Sequence, residues 1–256
     1  VSPPRYYLID IKIILNMSIL FAVLFYFATA VLVLGVGSRI RKYAKTPAPL
    51  KIPTTPAPTT RRGVVFRMIK ELTIFESLFK SNKWIWLFGW LFHMGMLLVL
   101  LRHLRYFTDP VWSWVVFVQP FGKYASIAML LGLIGLLVRR IVVDRVRYIS
   151  APSDFLMLGL LLVIGGTGAM MSFVTSADII SLKSYLLGLM VFDIRYLPND
   201  PILLVHLASV AILMIIFPIS KLLHAPGIFF SPTRNQVDNP RERRHVSAWA
   251  IKLEQK

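Results

Sequence analysis

The sequence predicts an all-α integral membrane protein with five transmembrane helices, its N-terminus outside and its C-terminus in the cytoplasm. Three observations lead there. Hydrophobic residues make up 56% of the 256 and charged residues only 16%, with a mean hydropathy of +0.66, whereas a soluble domain is about 45–50% apolar. The apolar residues stand in five long blocks without Asp or Glu, and a helix needs about 20 such residues to cross the hydrocarbon layer. The 29 Lys and Arg outnumber the 12 Asp and Glu, and they fall on alternate sides of those blocks.

The first block, Ile13 to Val36, has no basic stretch before it and no small-residue cleavage site after it, so it reads as a retained span, not a signal peptide. The chain begins at Val1 instead of Met, which leaves room for a variant start codon or a missing N-terminal stretch. Residues 38–83 follow with eleven basic residues: Arg39, Arg41, Lys42, Lys45, Lys51, Arg61, Arg62, Arg67, Lys70, Lys80 and Lys83. The positive-inside rule makes this loop cytoplasmic. Within it, TPAPLKIPTTPAPTT (residues 46–60) predicts an extended Pro and Thr-rich linker. Val65, Met68, Ile69, Leu72, Phe75 and Phe79 then recur at helical spacing among charges, which predicts an amphipathic helix at the membrane surface. Two roles stay open for it, leading the chain into the second span or docking a peripheral partner.

The remaining spans read as Trp84 to Phe107, Gly122 to Val138, Phe155 to Thr175 and Pro201 to His224. Arg139, Arg140, Arg145 and Arg147 between the third and fourth mark a cytoplasmic connection, as do Arg234, Arg241, Arg243, Arg244, Lys252 and Lys256 in the tail. Residues 108–121 hold no basic residue, and 177–200 only Lys183 and Arg195, so these face outward. The expected organisation is a transmembrane domain over residues 1–226 and a basic cytoplasmic tail over 227–256, ordered only against a partner. Topology and anionic lipid explain the net charge, which argues against a nucleic-acid role. With no Cys in the chain, disulfides, iron–sulfur clusters and covalent c-type haem are excluded in this subunit.

No carboxylate lies inside the five predicted spans, which weighs against an ion-coupled transporter. The spans do hold histidine: His93 and His103 in the second, His206 and His224 in the fifth. Neutral imidazole is the commonest side-chain metal ligand. On one continuous helix, His206 and His224 are eighteen residues apart, five whole turns, so both rings would leave one face about 27 Å apart. His93 and His103 are ten apart, about 15 Å of rise and about 80° of offset. The two helices run antiparallel, so His103 meets His206 near the outer surface and His93 meets His224 nearer the cytoplasm. Four histidines in two tiers are the arrangement expected of two non-covalent bis-histidine haem b groups. Taken singly, each has the alternative of a hydrogen bond between helices.

Arg102 and Arg105 flank His103 where haem propionates would need cations, or else they snorkel at a helix end. Lys123 is the lone charge between Val111 and Val138; it could hydrogen-bond a quinone carbonyl or anchor the helix at the interface. Asp109, Asp200 and Tyr124 are weaker candidates for proton handling. The glycines of the spans, Gly165, Gly166 and Gly168 among them, serve close packing or make room for macrocycles; GGTG is no phosphate loop, having no strand before it. Ser153 and Asp154 read as a helix cap, and His245 in the basic tail as solvated.

Five spans with these two histidine pairs resemble the gamma subunit of respiratory nitrate reductase and its relatives, membrane dihaem b cytochromes, over about residues 10–226. The resemblance implies that His93, His103, His206 and His224 are haem ligands. It also implies that Lys123, twenty residues after His103, belongs to a quinol site. FESLFKSNKWIWLFGWLFH, followed by LLRHLRYF, is similar to one branch, the M subunits (DsrM) of the membrane complex linked to dissimilatory sulfite reduction. That branch implies electron exchange between menaquinone and a cytoplasmic iron–sulfur subunit resembling heterodisulfide reductase, with further subunits in the complex. The expected protein is thus an electron-transfer subunit of an oxidoreductase in a prokaryotic cytoplasmic membrane. The alternatives are the gamma subunit of a nitrate reductase and, in another class, a haem-free anchor or small transporter.

Overall fold

A computed structural model describes residues 5–47, 53, 56–238, 252 and 253, with side chains from residue 15 onward. It is 81% helical with no strand among the described residues. Eleven α-helices are described: α1 (Arg5–Lys45), α2 (Arg61–Thr73), α3 (Glu76–Ser81), α4 (Lys83–His103), α5 (Ser113–Val142), α6 (Asp144–Tyr148), α7 (Pro152–Phe173), α8 (Ile179–Met190), α9 (Pro201–Ile216), α10 (His224–Gly227) and α11 (Pro232–Asn235). Five segments are long and apolar enough to cross a membrane: Leu15–Lys45, Lys83–Tyr106, Ser113–Val142, Pro152–Phe173 and Pro201–Ile219. The chain is a multi-pass membrane protein, as its composition requires.

Local chemistry sets where the spans begin. The Asn82 side chain accepts from the Ile85 amide at 3.0 Å and caps α4. Asp200 does the same for Leu203 at 2.9 Å and starts α9. Pro152 opens α7, where a missing N–H costs nothing. The buried Asp154 carboxylate accepts from the Ala151 amide and from Arg140, both at 3.1 Å, so its charge is paired.

Two predicted boundaries are corrected. The third span begins at Ser113, not Gly122, because the helix continues through Pro120. Lys123 is therefore the eleventh residue of a 30-residue helix and not its outer end. The fifth span is α-helical only to Ile216 and then passes through 3-10 turns at Phe217–Ile219 and Lys221–Leu223. Pro218 lacks an amide hydrogen and its ring collides with the preceding turn, which ends the regular helix there. The five-whole-turns relation between His206 and His224 consequently does not hold.

The chain forms two compact units. One comprises Val1–Val31 and Asn82–Ile216. Here α4 lies against α5 at backbone contact: a Cβ placed on Gly132 would stand 2.6 Å from the Phe92 nitrogen, and one on Gly95 would stand 2.8 Å from the Ala125 carbonyl oxygen. Small residues permit this approach, which supplies the packing that apolar lipid cannot drive. Phe92, Met129 and Leu133 form the core of this pair, with Leu158, Leu161 and Leu162 of α7 against it. A second core joins Phe21 of α1 to Leu182, Tyr185 and Leu186 of α8 and to Leu203 and Leu207 of α9. The buried Ser18 ties it together, its carbonyl accepting from the Tyr185 hydroxyl and its hydroxyl from the Leu197 amide, each at 3.0 Å.

The other unit comprises Leu32–Ser81 and Phe217–Lys256. Thr60 caps α2 by accepting from the Gly63 amide at 3.1 Å. Glu71 of α2 is buried, bonded by Ser77 and by Arg234 of α11 at 2.8 Å. Asp238 donates its amide to the Pro58 carbonyl at 3.0 Å, and Arg39 of α1 donates Nε to the Pro218 carbonyl at 3.2 Å. Residues 227–238, expected to order only against a partner, are thus held on α2 by the ion pair that burial of Glu71 demands. His245 and most of the tail's arginines lie outside the described residues, as do 48–52, 54 and 55 of the linker.

Gly132→Val should lower the thermal unfolding midpoint in detergent by the equivalent of about 1–3 kcal/mol, the usual cost of overpacking. Gly159→Val, where an added Cβ meets nothing within 4 Å, should leave it unchanged. Equal midpoints for the two variants would contradict the close α4–α5 contact.

Candidate functional site

Three helices of the first unit converge on one pair of imidazoles. His103 ends α4, and His206 lies in the second turn of α9. Their ring centroids are 6.4 Å apart and their planes differ by 13°. The His103 Nδ1 stands 2.6 Å from the Val99 carbonyl oxygen, one turn back on its own helix. A carbonyl can only accept, so Nδ1 carries the proton and Nε2 keeps its lone pair. The His206 ring is held from α7: its Nδ1 is 3.1 Å from the Ile164 carbonyl oxygen and 3.0 Å from the Thr167 hydroxyl. That hydroxyl donates its single proton to the Val163 carbonyl at 2.7 Å, so its oxygen accepts from Nδ1. Gly168 makes room, since a Cβ there would approach the His206 Cε1 to 3.3 Å.

The spacing has a simple chemical meaning. Two imidazoles on opposite sides of one transition-metal ion, with bonds of about 2 Å and about 1 Å more from nitrogen to ring centre, have centroids about 6 Å apart. The centroid separation of the pair matches that requirement. Among the described residues no group of three or more His, Asp or Glu gathers to enclose an ion.

The other two histidines share the internal arrangement. His93, ten residues before His103 on α4, has Nδ1 2.7 Å from the Gly89 carbonyl oxygen. His224 belongs to the second unit, where it heads α10 with Nδ1 2.9 Å from the Lys221 carbonyl oxygen. All four rings thus commit Nδ1 to a backbone carbonyl and turn the Nε2 edge away from it.

Cations stand beside the His103 pair. Arg105 donates to Gln119 Oε1 at 3.2 Å and to the Tyr106 hydroxyl at 2.7 Å, while its Nε is buried with no acceptor. Arg102 reaches Ser172 Oγ at 3.3 Å. Among the described residues neither arginine has a carboxylate partner. Gly122 of α5 packs on Arg102, where an added Cβ would meet the arginine Cβ at 2.7 Å. The next residue, the half-buried Lys123, sets its Nζ 4.9 Å from the centre of the Phe173 ring. Tyr124 lies 6.1 Å from the same ring, centre to centre. Arg102, Lys123, Tyr124, Ser172 and Phe173 therefore form one cationic and aromatic corner next to His103.

Asp109 and Asp200 do not join it. Asp109 pairs with Lys183 of α8 at 2.8 Å, and Asp200 caps α9. Thr167, Gln119, Ser172 and Phe173 were not singled out in the sequence. Of these only Thr167 left a trace, as the polar member of the intramembrane GGTG run.

Comparison with known proteins identifies the family. Residues 71–240 match the nitrate reductase gamma subunit family, a stretch that contains all four histidines, Arg102, Arg105 and Lys123. The chain is 38% identical over 270 residues to the Hdr-like menaquinol oxidoreductase cytochrome b-like subunit of Archaeoglobus fulgidus, covering 88% of this chain and 81% of that protein. It is 30% identical over 280 residues to the protein of the same description from Archaeoglobus profundus, covering 90% and 82%.

Proposed function

Starting from the fact that this chain belongs to the nitrate reductase gamma subunit family, we propose that it is the membrane dihaem cytochrome b subunit of a menaquinol oxidoreductase. It exchanges electrons between quinol near the outer face and a cytoplasmic iron–sulfur partner. The observation that carries this reading is the parallel His103–His206 pair at 6.4 Å, each ring with Nδ1 already engaged. His103 and His206 would hold the outer haem b and His93 and His224 the inner one. When bound, each haem supplies a one-electron carrier between two-electron quinol chemistry and the partner. The protein's part is to fix ring orientation and tune the ligands through the groups that bind their Nδ1–H.

Arg105, with its buried unpaired Nε, suits a haem propionate, and Arg102 beside it adds a second charge. Lys123, Tyr124 and Phe173 suit a quinone ring: Lys123 as hydrogen-bond donor to a carbonyl, the aromatics as walls. The charge asymmetry of the loops supports an N-terminus outside and a C-terminus in the cytoplasm, in a prokaryotic cytoplasmic membrane. On that orientation quinol oxidation releases protons outside while electrons move inward. The names of the two relatives favour a heterodisulfide-reductase-like partner over a nitrate reductase, and the likeness to the DsrM branch favours dissimilatory sulfur metabolism. Co-purification of the partner distinguishes these.

The purified chain from haem-replete cells should contain two haem b per polypeptide by pyridine haemochrome assay; a colourless preparation would overturn the reading. His206→Ala should lose one of the two, and full retention would break the assignment of the outer pair. Thr167→Val should keep both haems but move one midpoint potential by about the worth of one hydrogen bond, about 1 kcal/mol, or a few tens of millivolts in a one-electron couple. Lys123→Ala should slow haem reduction by a menaquinol analogue about tenfold or more at unchanged haem content; wild-type kinetics would remove Lys123 from the quinone site.

A further inference from the structure

Helix α2 is built inside out for a helix in water. Its inward side carries Glu71, 9% exposed, with Val64 one turn pair away. Its outward side carries Val65, Phe66, Ile69 and Leu72, which are 57%, 66%, 49% and 38% exposed. At about 100° per residue these four span roughly 120° of the helix surface, the width of a lipid-facing stripe. A soluble amphipathic helix would do the reverse, burying the stripe and exposing the carboxylate.

The charges around the stripe have one sign. Arg62 and Lys70 are exposed on the same side of α2, and Arg61 stands beside them at the first turn. The one acidic residue of α3, Glu76, is paired with Lys80 at 2.8 Å, and that hydrogen bond chiefly holds its carboxyl below the usual carboxylate range. Chain connectivity sets the level: only nine residues, 74–82, lie between Thr73 and the first residue of α4, a membrane span. In the same unit α1 changes from the exposed apolar Val33 and Leu34 to the basic Arg39, Arg41, Lys42 and Lys45. An exposed apolar stripe bordered by cations, tethered at the membrane surface, is complementary to the boundary between anionic headgroups and acyl chains.

We infer that α2 lies in the plane of the cytoplasmic lipid surface, with Val65, Phe66, Ile69 and Leu72 immersed and Arg61, Arg62 and Lys70 bound to anionic headgroups. Burial of Glu71 against Arg234 fixes the roll of the helix, so the tail holds the apolar stripe toward lipid. This inference does not depend on what the histidines hold.

The absence of Cys permits a direct test. Phe66→Cys, Ile69→Cys and, as an exposed control in the linker, Thr59→Cys are each spin-labelled in the full chain. The labelled chains are placed in nanodiscs of phosphatidylcholine with and without phosphatidylglycerol. Collision with oxygen, which partitions into lipid, is compared with collision with a water-soluble nickel chelate. The oxygen-to-nickel ratio at 66 and 69 should exceed that at 59 several-fold, and more so with phosphatidylglycerol. Nickel access at 66 and 69 equal to that at 59 would put the helix in water and overturn the inference. Protection from both reagents would mean that protein, a second copy or a partner subunit, covers the stripe, and would overturn it equally. Arg62→Glu combined with Lys70→Glu should bring the label at 66 toward water in the anionic discs; an unchanged depth there would overturn the headgroup contact.

Discussion

A polar group inside a hydrocarbon layer has no water to fall back on, so each donor must find an acceptor within the protein. That constraint governs the backbone, which answers it by forming helices, and it governs the histidines in the same way. Each imidazole brings one N–H and one lone pair. His93, His103 and His206, which lie on the spanning helices, all direct Nδ1 to a carbonyl oxygen, which leaves Nε2 with the lone pair. Paired in this way, a costly polar side chain becomes an oriented one.

Close helix contact supplies the rest of the geometry. Gly95 and Gly132 let α4 and α5 touch at the backbone, and Gly122 brings α5 against Arg102. The Lys123 ammonium and the Phe173 ring therefore sit one residue from groups that contact Arg102, next to His103. Bulk at these glycines would separate the cationic corner from the imidazole pair. The α1–α8 bonds at Ser18 and Tyr185 secure the opposite side of this unit, where burial pushes the Tyr185 phenol above its usual pKa and keeps it a donor.

Hydropathy and charge asymmetry made the five spans legible, because crossing hydrocarbon demands long apolar runs whatever the tertiary contacts. The same signal cannot place breaks within a run. Leu222 and Leu223 continue the apolar pattern beyond Pro218, so periodicity carried the helix on to His224, although the missing amide at Pro218 ends it at Ile216. Gln119 and Pro120 read as a connection, yet α5 absorbs both. The His103–His206 juxtaposition was legible from spacing and antiparallel order, since both residues lie on regular helix. Thr167 was not, because its role depends on which face α7 turns toward α9.

His206 differs from the other three in borrowing its orienting acceptors from a different helix. Val99, Gly89 and Lys221 sit within four residues of the rings they hold, whereas Ile164 and Thr167 lie about forty residues before His206 in the chain. Helix α9 is the last of the five spans to be synthesised. Until it has threaded into the bilayer and docked on α7, the pair consists of one aligned imidazole and an empty berth. Biogenesis thus has a built-in order: the imidazole pair is complete only once α9 has inserted and packed on α7.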